Sequence, residues 1–172
     1  QGQTLLAGAP RRERTASDEY RYYNSLVSMT FSEERPRVTG LYDKVLLVPF
    51  GEYVPLGNLI SSFGVRPLQE LVAGYSPGPE FTTLENADAP AFFPMICYEA
   101  VFSGIVPGGA GRPDWILNIS NDAWFGPTAG PRQHLNITRY RAIENGLPII
   151  RSASRGFSGV IDPYGRLGPS LP

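Results

Sequence analysis

Three reactive side chains are almost missing from this sequence. Its 172 residues hold one cysteine, Cys97, one histidine, His134, and one lysine, Lys44, against fourteen arginines. A single cysteine excludes an intramolecular disulfide and a cysteine-based metal site, and it fits a reducing or an oxidising compartment equally well. A single histidine argues against a histidine-rich metal centre, so neither a metal nor a cofactor is expected. The net charge of -1 offers no electrostatic case for a nucleic-acid partner. Arg11, Arg12 and Arg14 form the nearest thing to a basic cluster; Glu13 interrupts them, and they read as a solvated loop. No apolar run approaches the ~18–20 residues that a membrane span requires. Residues 92–102 come closest, broken by Pro94 and Glu99. No charged-then-apolar leader follows Gln1, and strand-like residues begin at Thr4. The expectation is an excerpt of a longer chain, cut at both ends.

What is present is ordinary in bulk and informative in order. Hydrophobic residues make up 42% and charged residues 18%, as in a folded domain or a part of one. Residues 4–8 read as a buried strand, 11–19 as a polar loop, 22–29 as a second strand, and 38–47 as a third extended stretch ended by Pro49 and Gly51. The turn at 31–37 makes an antiparallel hairpin of the last two. Residues 55–79 are rich in Gly, Pro and Ser yet carry many apolar side chains, with a short helix at 66–73; a loop of this kind is often functional. Strands follow at 81–84 and 91–96 around a turn at 85–88, then a helix over 99–106, a strand at 115–119, a helix over 128–145, and strands at 149–152 and 157–161. In the long helix Leu135, Thr138, Ala142 and Ile143 share one face, and Gly146-Leu147-Pro148 stops it. Early hairpins followed by strand–helix alternation predict a layered α/β or α+β domain.

A lone cysteine is by itself commonly a small buried hydrophobe. Cys97 differs in its setting, because a buried strand ends there and a helix is expected to begin. A thiol at a helix N-terminus is biased toward thiolate. The Tyr98 N–H, lacking an intrahelical acceptor, could face an oxyanion. Lys44 lies near the end of an apolar strand. A snorkelling surface lysine is the common alternative, but the chain uses Arg wherever a surface cation is wanted, and one compact ammonium can stabilise both a thiolate and a tetrahedral oxyanion. Glu52 and Glu99 could each orient Lys44, or could serve as surface or turn carboxylates. His134, with no adjacent acid in Pro131-Arg132-Gln133-His134, reads as structural rather than as a Cys–His partner.

These motifs carry a resemblance. Tyr42-Asp43-Lys44, Leu47-Val48-Pro49-Phe50-Gly51-Glu52-Tyr53-Val54-Pro55, Ile96-Cys97-Tyr98-Glu99, Ser120-Asn121-Asp122-Ala123-Trp124-Phe125-Gly126 and Gln133-His134 closely resemble the catalytic domain of bacterial apolipoprotein N-acyltransferases. Those enzymes are a branch of the nitrilase (carbon–nitrogen hydrolase) superfamily. The resemblance implies an α/β fold, an αββα sandwich, here incomplete at its N-terminal side. It also implies a Glu–Lys–Cys triad in which Cys97 takes an acyl chain from a phospholipid as a thioester. Lys44 and the Tyr98 amide would stabilise the tetrahedral intermediates. The amine of a diacylglyceryl-cysteine in an apolipoprotein would then resolve the thioester. Glu52, Tyr98 and Glu99 match family positions that support activity or bind substrate. The implied setting is the bacterial inner membrane, with this domain on the periplasmic side and the membrane helices outside residues 1–172. Leu59, Ile60 and Phe63 would then lie near the bilayer and admit acyl chains.

Two other readings stay open. One is a soluble nitrilase-type amidase, in which water resolves the thioester; the other is a non-catalytic module that keeps the fold. In the family the general-base Glu stands upstream of the first strand, and neither Glu13 nor Glu19 replaces it. Residues 1–172 alone are therefore expected to form no thioester from phospholipid, and mass-spectrometric detection of acylated Cys97 in the isolated chain would refute this. Polar substitution of Leu59, Ile60 and Phe63 should slow phospholipid turnover by the full-length enzyme; an unchanged rate would remove the acyl-admitting role.

Overall fold

The computed structural model describes residues 3–31, 35–53, 55, 74–86 and 89–171. Among the described residues, nine strands fall into two sheets. The first is an antiparallel meander of β1 (Gln3–Arg14), β2 (Tyr20–Phe31) and β3 (Pro36–Asp43), in the order β1-β2-β3. The second has six strands in sequence order: β4 (Leu84–Asn86), β5 (Ala89–Ile96), β6 (Trp115–Asn121), β7 (Ile149–Ser154), β8 (Ser158–Ile161) and β9 (Leu167–Leu171). Its centre, β5-β6-β7, is parallel, and its flanks are antiparallel. The helix α1 (Gly130–Asn145) makes the crossover from β6 to β7, as a parallel pair requires.

Side-chain alternation along β5 sets the layers. Phe92 and Ile96 face the first sheet and pack with Leu26, Tyr42 and Leu117. Phe93 and Met95 point the other way and pack with Ile116, Leu135, Ala142 and Ile149 beneath α1. A strand buried on both faces carries apolar residues at both parities, which is why residues 92–96 form one continuous apolar run. The described residues thus stack as sheet, sheet and helix, in keeping with the layered α/β expectation.

Local departures from the sequence reading have physical reasons. The basic segment at 11–14 is strand, not loop. Arg11 donates to Asp43 from Nη2 at 2.6 Å and from Nε at 3.1 Å, and its guanidinium lies 4.3 Å from the Tyr23 ring centre. Arg12 stacks on Tyr20 in the same way. These contacts let polar residues extend β1 to a turn at Thr15-Ala16-Ser17-Asp18-Glu19. The third strand stops at Asp43, because the amides of Val45 and Leu46 bond a carboxylate instead of a ladder neighbour. The strand expected at 81–84 begins only at Leu84. On α1, Leu135, Thr138 and Ala142 are buried, but His134 takes the inward place expected of Ile143, which is half exposed. The edge strand β9 was not anticipated; Gly168 and Pro169 mask it, and an edge tolerates both. The helix expected at 66–73 and the apolar side chains Leu59, Ile60 and Phe63 lie outside the described residues.

Candidate active site

Cys97 stands where β5 ends, half-buried, with a positive φ of 49°. For a residue with a Cβ this left-handed conformation costs about 1–2 kcal/mol, so its surroundings must hold it. The helix expected over residues 99–106 is instead a five-residue 3-10 turn, Cys97–Val101. Gly104, at φ 73°, and Pro107 follow it and prevent extension. A turn this short does not supply the macrodipole expected at the thiol. What it does supply is the opening amide of Tyr98, which has no acceptor within the turn. The Tyr98 ring packs edge-on against Phe102 at 5.1 Å.

Glu99 is fully buried two residues after the cysteine. Its Oε2 accepts from the Ile96 N–H at 2.7 Å. Its Oε1 accepts from the Val45 N–H at 2.8 Å, the Tyr42 hydroxyl at 2.8 Å and the Leu46 N–H at 3.3 Å. One carboxylate therefore ties the backbone just before Cys97 to the backbone just after Lys44. Burial pushes the Glu99 carboxyl above its ordinary value, and the donors from Ile96, Val45, Tyr42 and Leu46 pull it back. Burial, and then the facing Glu99 charge, push the Tyr42 phenol up. Glu99 does not orient the Lys44 ammonium.

Glu52 does. Lys44 is 1% exposed, and its Nζ donates to Glu52 Oε2 at 2.6 Å. The same oxygen accepts from the Val48 N–H at 2.8 Å, and Oε1 accepts from Asn24 Nδ2 at 2.8 Å. Backbone bonds from Lys44 N–H to Asn24 O and from Gly78 N–H to Lys44 O, each 2.8 Å, fix the main chain. Upstream, the Arg11–Asp43 pair clamps the end of β3. Removing one partner of a buried ion pair typically costs about 3–5 kcal/mol, so Lys44 is rigidly placed.

On the far side of Cys97 lies a charged network that sequence reasoning missed. His134, 3% exposed, reaches from α1 so that Nε2 lies 3.1 Å from the Cys97 carbonyl oxygen and Nδ1 lies 2.9 Å from Asp122 Oδ1. The orienting acid is thus present twelve residues upstream, but the ring meets the cysteine's backbone, unlike a Cys–His pair. Asp122 also accepts from Ser120 Oγ at 2.7 Å and from Arg151 Nη2 at 2.7 Å. Arg151 is buried too; it bonds Asn118, Thr138 at 3.2 Å and the Phe157 carbonyl oxygen at 3.1 Å, and it lies within electrostatic reach of Cys97. A Cβ at Gly156 would sit inside the Asp122 carboxylate, so the β7–β8 turn closes directly over it. The available signal was an arginine among the apolar residues of β7, at the parity of buried Ile149.

No group of three or more His, Cys, Asp or Glu suited to a metal occurs among the described residues. The carbon-nitrogen hydrolase family model matches residues 1–170. The chain belongs to the carbon–nitrogen hydrolase family. Its curated relatives include the apolipoprotein N-acyltransferase of Brucella melitensis biotype 1, 42% identical over 172 residues, covering 99% of this chain and 32% of that protein. The apolipoprotein N-acyltransferase of Agrobacterium fabrum is 43% identical over 167 residues, covering 96% and 31%. This carbon–nitrogen hydrolase chain therefore spans about a third of the length of those relatives. Among solved structures, a carbon-nitrogen hydrolase from Helicobacter pylori superposes with a TM-score of 0.65 at 18% identity, covering 97% of this chain and 58% of that one. A CN-hydrolase superfamily protein of Xanthomonas campestris gives 0.61 at 20%, covering 96% and 58%. The fold is the nitrilase-type α/β fold.

Within this carbon–nitrogen hydrolase frame Asp122 has a definite acid signature. Burial alone would raise its carboxyl, but hydrogen bonds from His134 and Ser120 and the Arg151 charge outweigh it, and the net direction is down. A depressed native value means that its stabilisation is complete above the unfolded value and is lost as pH falls through the native one. The thermal midpoint should therefore fall as pH drops below ~4, and Asp122→Asn should lower the neutral-pH midpoint while flattening that acid limb. An acid limb identical in Asp122→Asn would remove Asp122 as its source.

Proposed function

We propose that residues 1–172 are part of the catalytic domain of a bacterial apolipoprotein N-acyltransferase. The enzyme would move a fatty acyl chain from a phospholipid, through a Cys97 thioester, to the N-terminal amine of a diacylglyceryl-cysteine. The observation that carries this reading is the match, 42% identical along 99% of the chain, to a curated protein of that name.

The residues named suit both half-reactions. The Cys97 thiolate attacks the phospholipid ester carbonyl, and the carbonyl π electrons move to oxygen. The Tyr98 N–H and the Lys44 ammonium bear on that oxyanion. Its collapse expels the lysophospholipid alkoxide, which takes up the proton released by the thiol. The substrate amine then attacks the thioester, loses a proton, and leaves as an amide while the Cys97 thiol is restored. Glu52 sets the position of Lys44, and Glu99 sets the Cys97 turn against it. The proton carrier is assigned to the family's general-base Glu, upstream of β1. The domain would work at the periplasmic face of the inner membrane, held by membrane segments outside residues 1–172. No helix among the described residues is long and apolar enough to cross a membrane.

The test is full-length enzyme with a phospholipid bearing a labelled acyl chain and a diacylglyceryl lipopeptide. N-acyl lipopeptide and a hydroxylamine-sensitive acyl label on the protein are expected, and Cys97→Ser should lose both by about 10³-fold or more. Free fatty acid without amide would support an amidase, and undiminished transfer by Cys97→Ser would sink the thioester.

A further inference from the structure

The carbonyl oxygen that His134 holds and the amide offered to the oxyanion belong to one peptide unit. The Cys97–Tyr98 peptide bond is trans, so its C=O and N–H lie in one plane and point in opposite directions. Whatever fixes the Cys97 oxygen also aims the Tyr98 hydrogen. His134 Nε2, 3.1 Å from that oxygen, donates to it, since a carbonyl only accepts, and Nδ1 donates to the Asp122 carboxylate. The ring in turn has little freedom to rotate. Nδ1 lies 2.9 Å from Asp122, Phe125 packs edge-on at 5.7 Å, and Arg151 and Ser120 hold Asp122 from behind.

The left-handed Cys97 makes such a clamp necessary. At φ 49° the residue sits in a narrow, unfavourable well. Rotation of the Cys97–Tyr98 peptide plane would take the carbonyl oxygen away from His134 and re-aim the Tyr98 N–H. Glu99 restrains the chain before Cys97 through the Ile96 N–H, which belongs to the Met95–Ile96 peptide. His134 supplies the matching restraint after it. One restraint is made within the turn itself, and the other comes from α1.

We propose that His134, oriented by Asp122 and Arg151, is a positioning residue for the oxyanion hole, acting by pinning the Cys97–Tyr98 peptide plane. This rests on the reading of Cys97 as the acyl-accepting nucleophile. His134 neither deprotonates the thiol nor touches substrate, and its whole effect passes through one backbone carbonyl. The same residue in the papain arrangement would act on sulfur, so the two roles separate in experiment.

The experiment compares two reactions of Cys97 in the full-length enzyme. Acylation by a p-nitrophenyl acyl ester passes through a tetrahedral oxyanion. Alkylation by iodoacetamide is a displacement at saturated carbon and forms none. In His134→Ala, single-turnover acylation should fall about 10²-fold, the scale of losing one oxyanion donor, while the alkylation rate stays within about 3-fold. His134→Gln, whose amide nitrogen reaches the place of Nε2, should restore acylation to within about 10-fold of wild type. His134→Asn, whose amide reaches only the place of Nδ1, should stay as slow as Ala. Equal losses in acylation and alkylation would overturn the clamp, because His134 would then be holding the thiol or the fold as a whole. Full acylation in His134→Ala, or equal rescue by Asn and Gln, would overturn it as well. Acceptance of the nitrophenyl ester without any turnover of phospholipid would instead overturn the acyltransferase reading, and the variant series would still decide the clamp.

Discussion

The site depends on one buried carboxylate with more donors than it can share evenly. Three of the four hydrogen bonds to Glu99 converge on a single oxygen, and they come from the residues that flank Lys44. The fourth comes from the residue before Cys97. A hydrogen bond to a charged group contributes roughly 1.5–3 kcal/mol, and an unsatisfied buried donor costs a similar amount. Between two sheets that pack through apolar side chains, these bonds fix an offset beside Lys44 and Cys97. The 3-10 turn after Cys97 follows from the same demand, because the Glu99 side chain can fold back to the Ile96 amide only if the backbone turns tightly.

Much of the frame was legible because it rests on local rules. α1 was placed to within two residues, since Pro131 near its start and Gly146, left-handed at φ 61°, after its end are strong boundary signals. The parallel core strands were legible as apolar runs of strand length. Cys97 and Lys44 stood out for a different reason: each is the only residue of its type in the chain. Glu52 and Glu99 could be nominated but not told apart, because their partners are distant in sequence. Asn24 is 28 residues from Glu52, and Val45 is 54 from Glu99. The Asp122–Arg151 pair, 29 residues apart on neighbouring parallel strands or their ends, was invisible for the same reason. Register in a parallel sheet is set by the crossover, and no local pattern reports it.

Charge around the candidate site is held in neutral pairs. On one side, Lys44 and Glu52 neutralise each other within 2.6 Å. On the other, Arg151 and Asp122 do so within 2.7 Å. Both pairs are buried, and both are satisfied by backbone and amide partners as well as by each other, which a buried ion pair needs if it is not to destabilise the fold. Neither pair is free to drift toward an incoming substrate. The arrangement favours chemistry in which charge develops transiently between fixed dipoles and no side chain has to travel.

The contact of Gly156 with Asp122 adds a residue with no functional group to the machinery. The β7–β8 turn passes so close that its backbone forms the floor on which the carboxylate rests. A methyl group there would not remove a proton donor, a charge or a nucleophile. It would press on Asp122, which bonds the His134 ring, which in turn bonds the Cys97 carbonyl oxygen. An inventory of reactive side chains would pass over this position, yet its vacancy is a dimension of the candidate site.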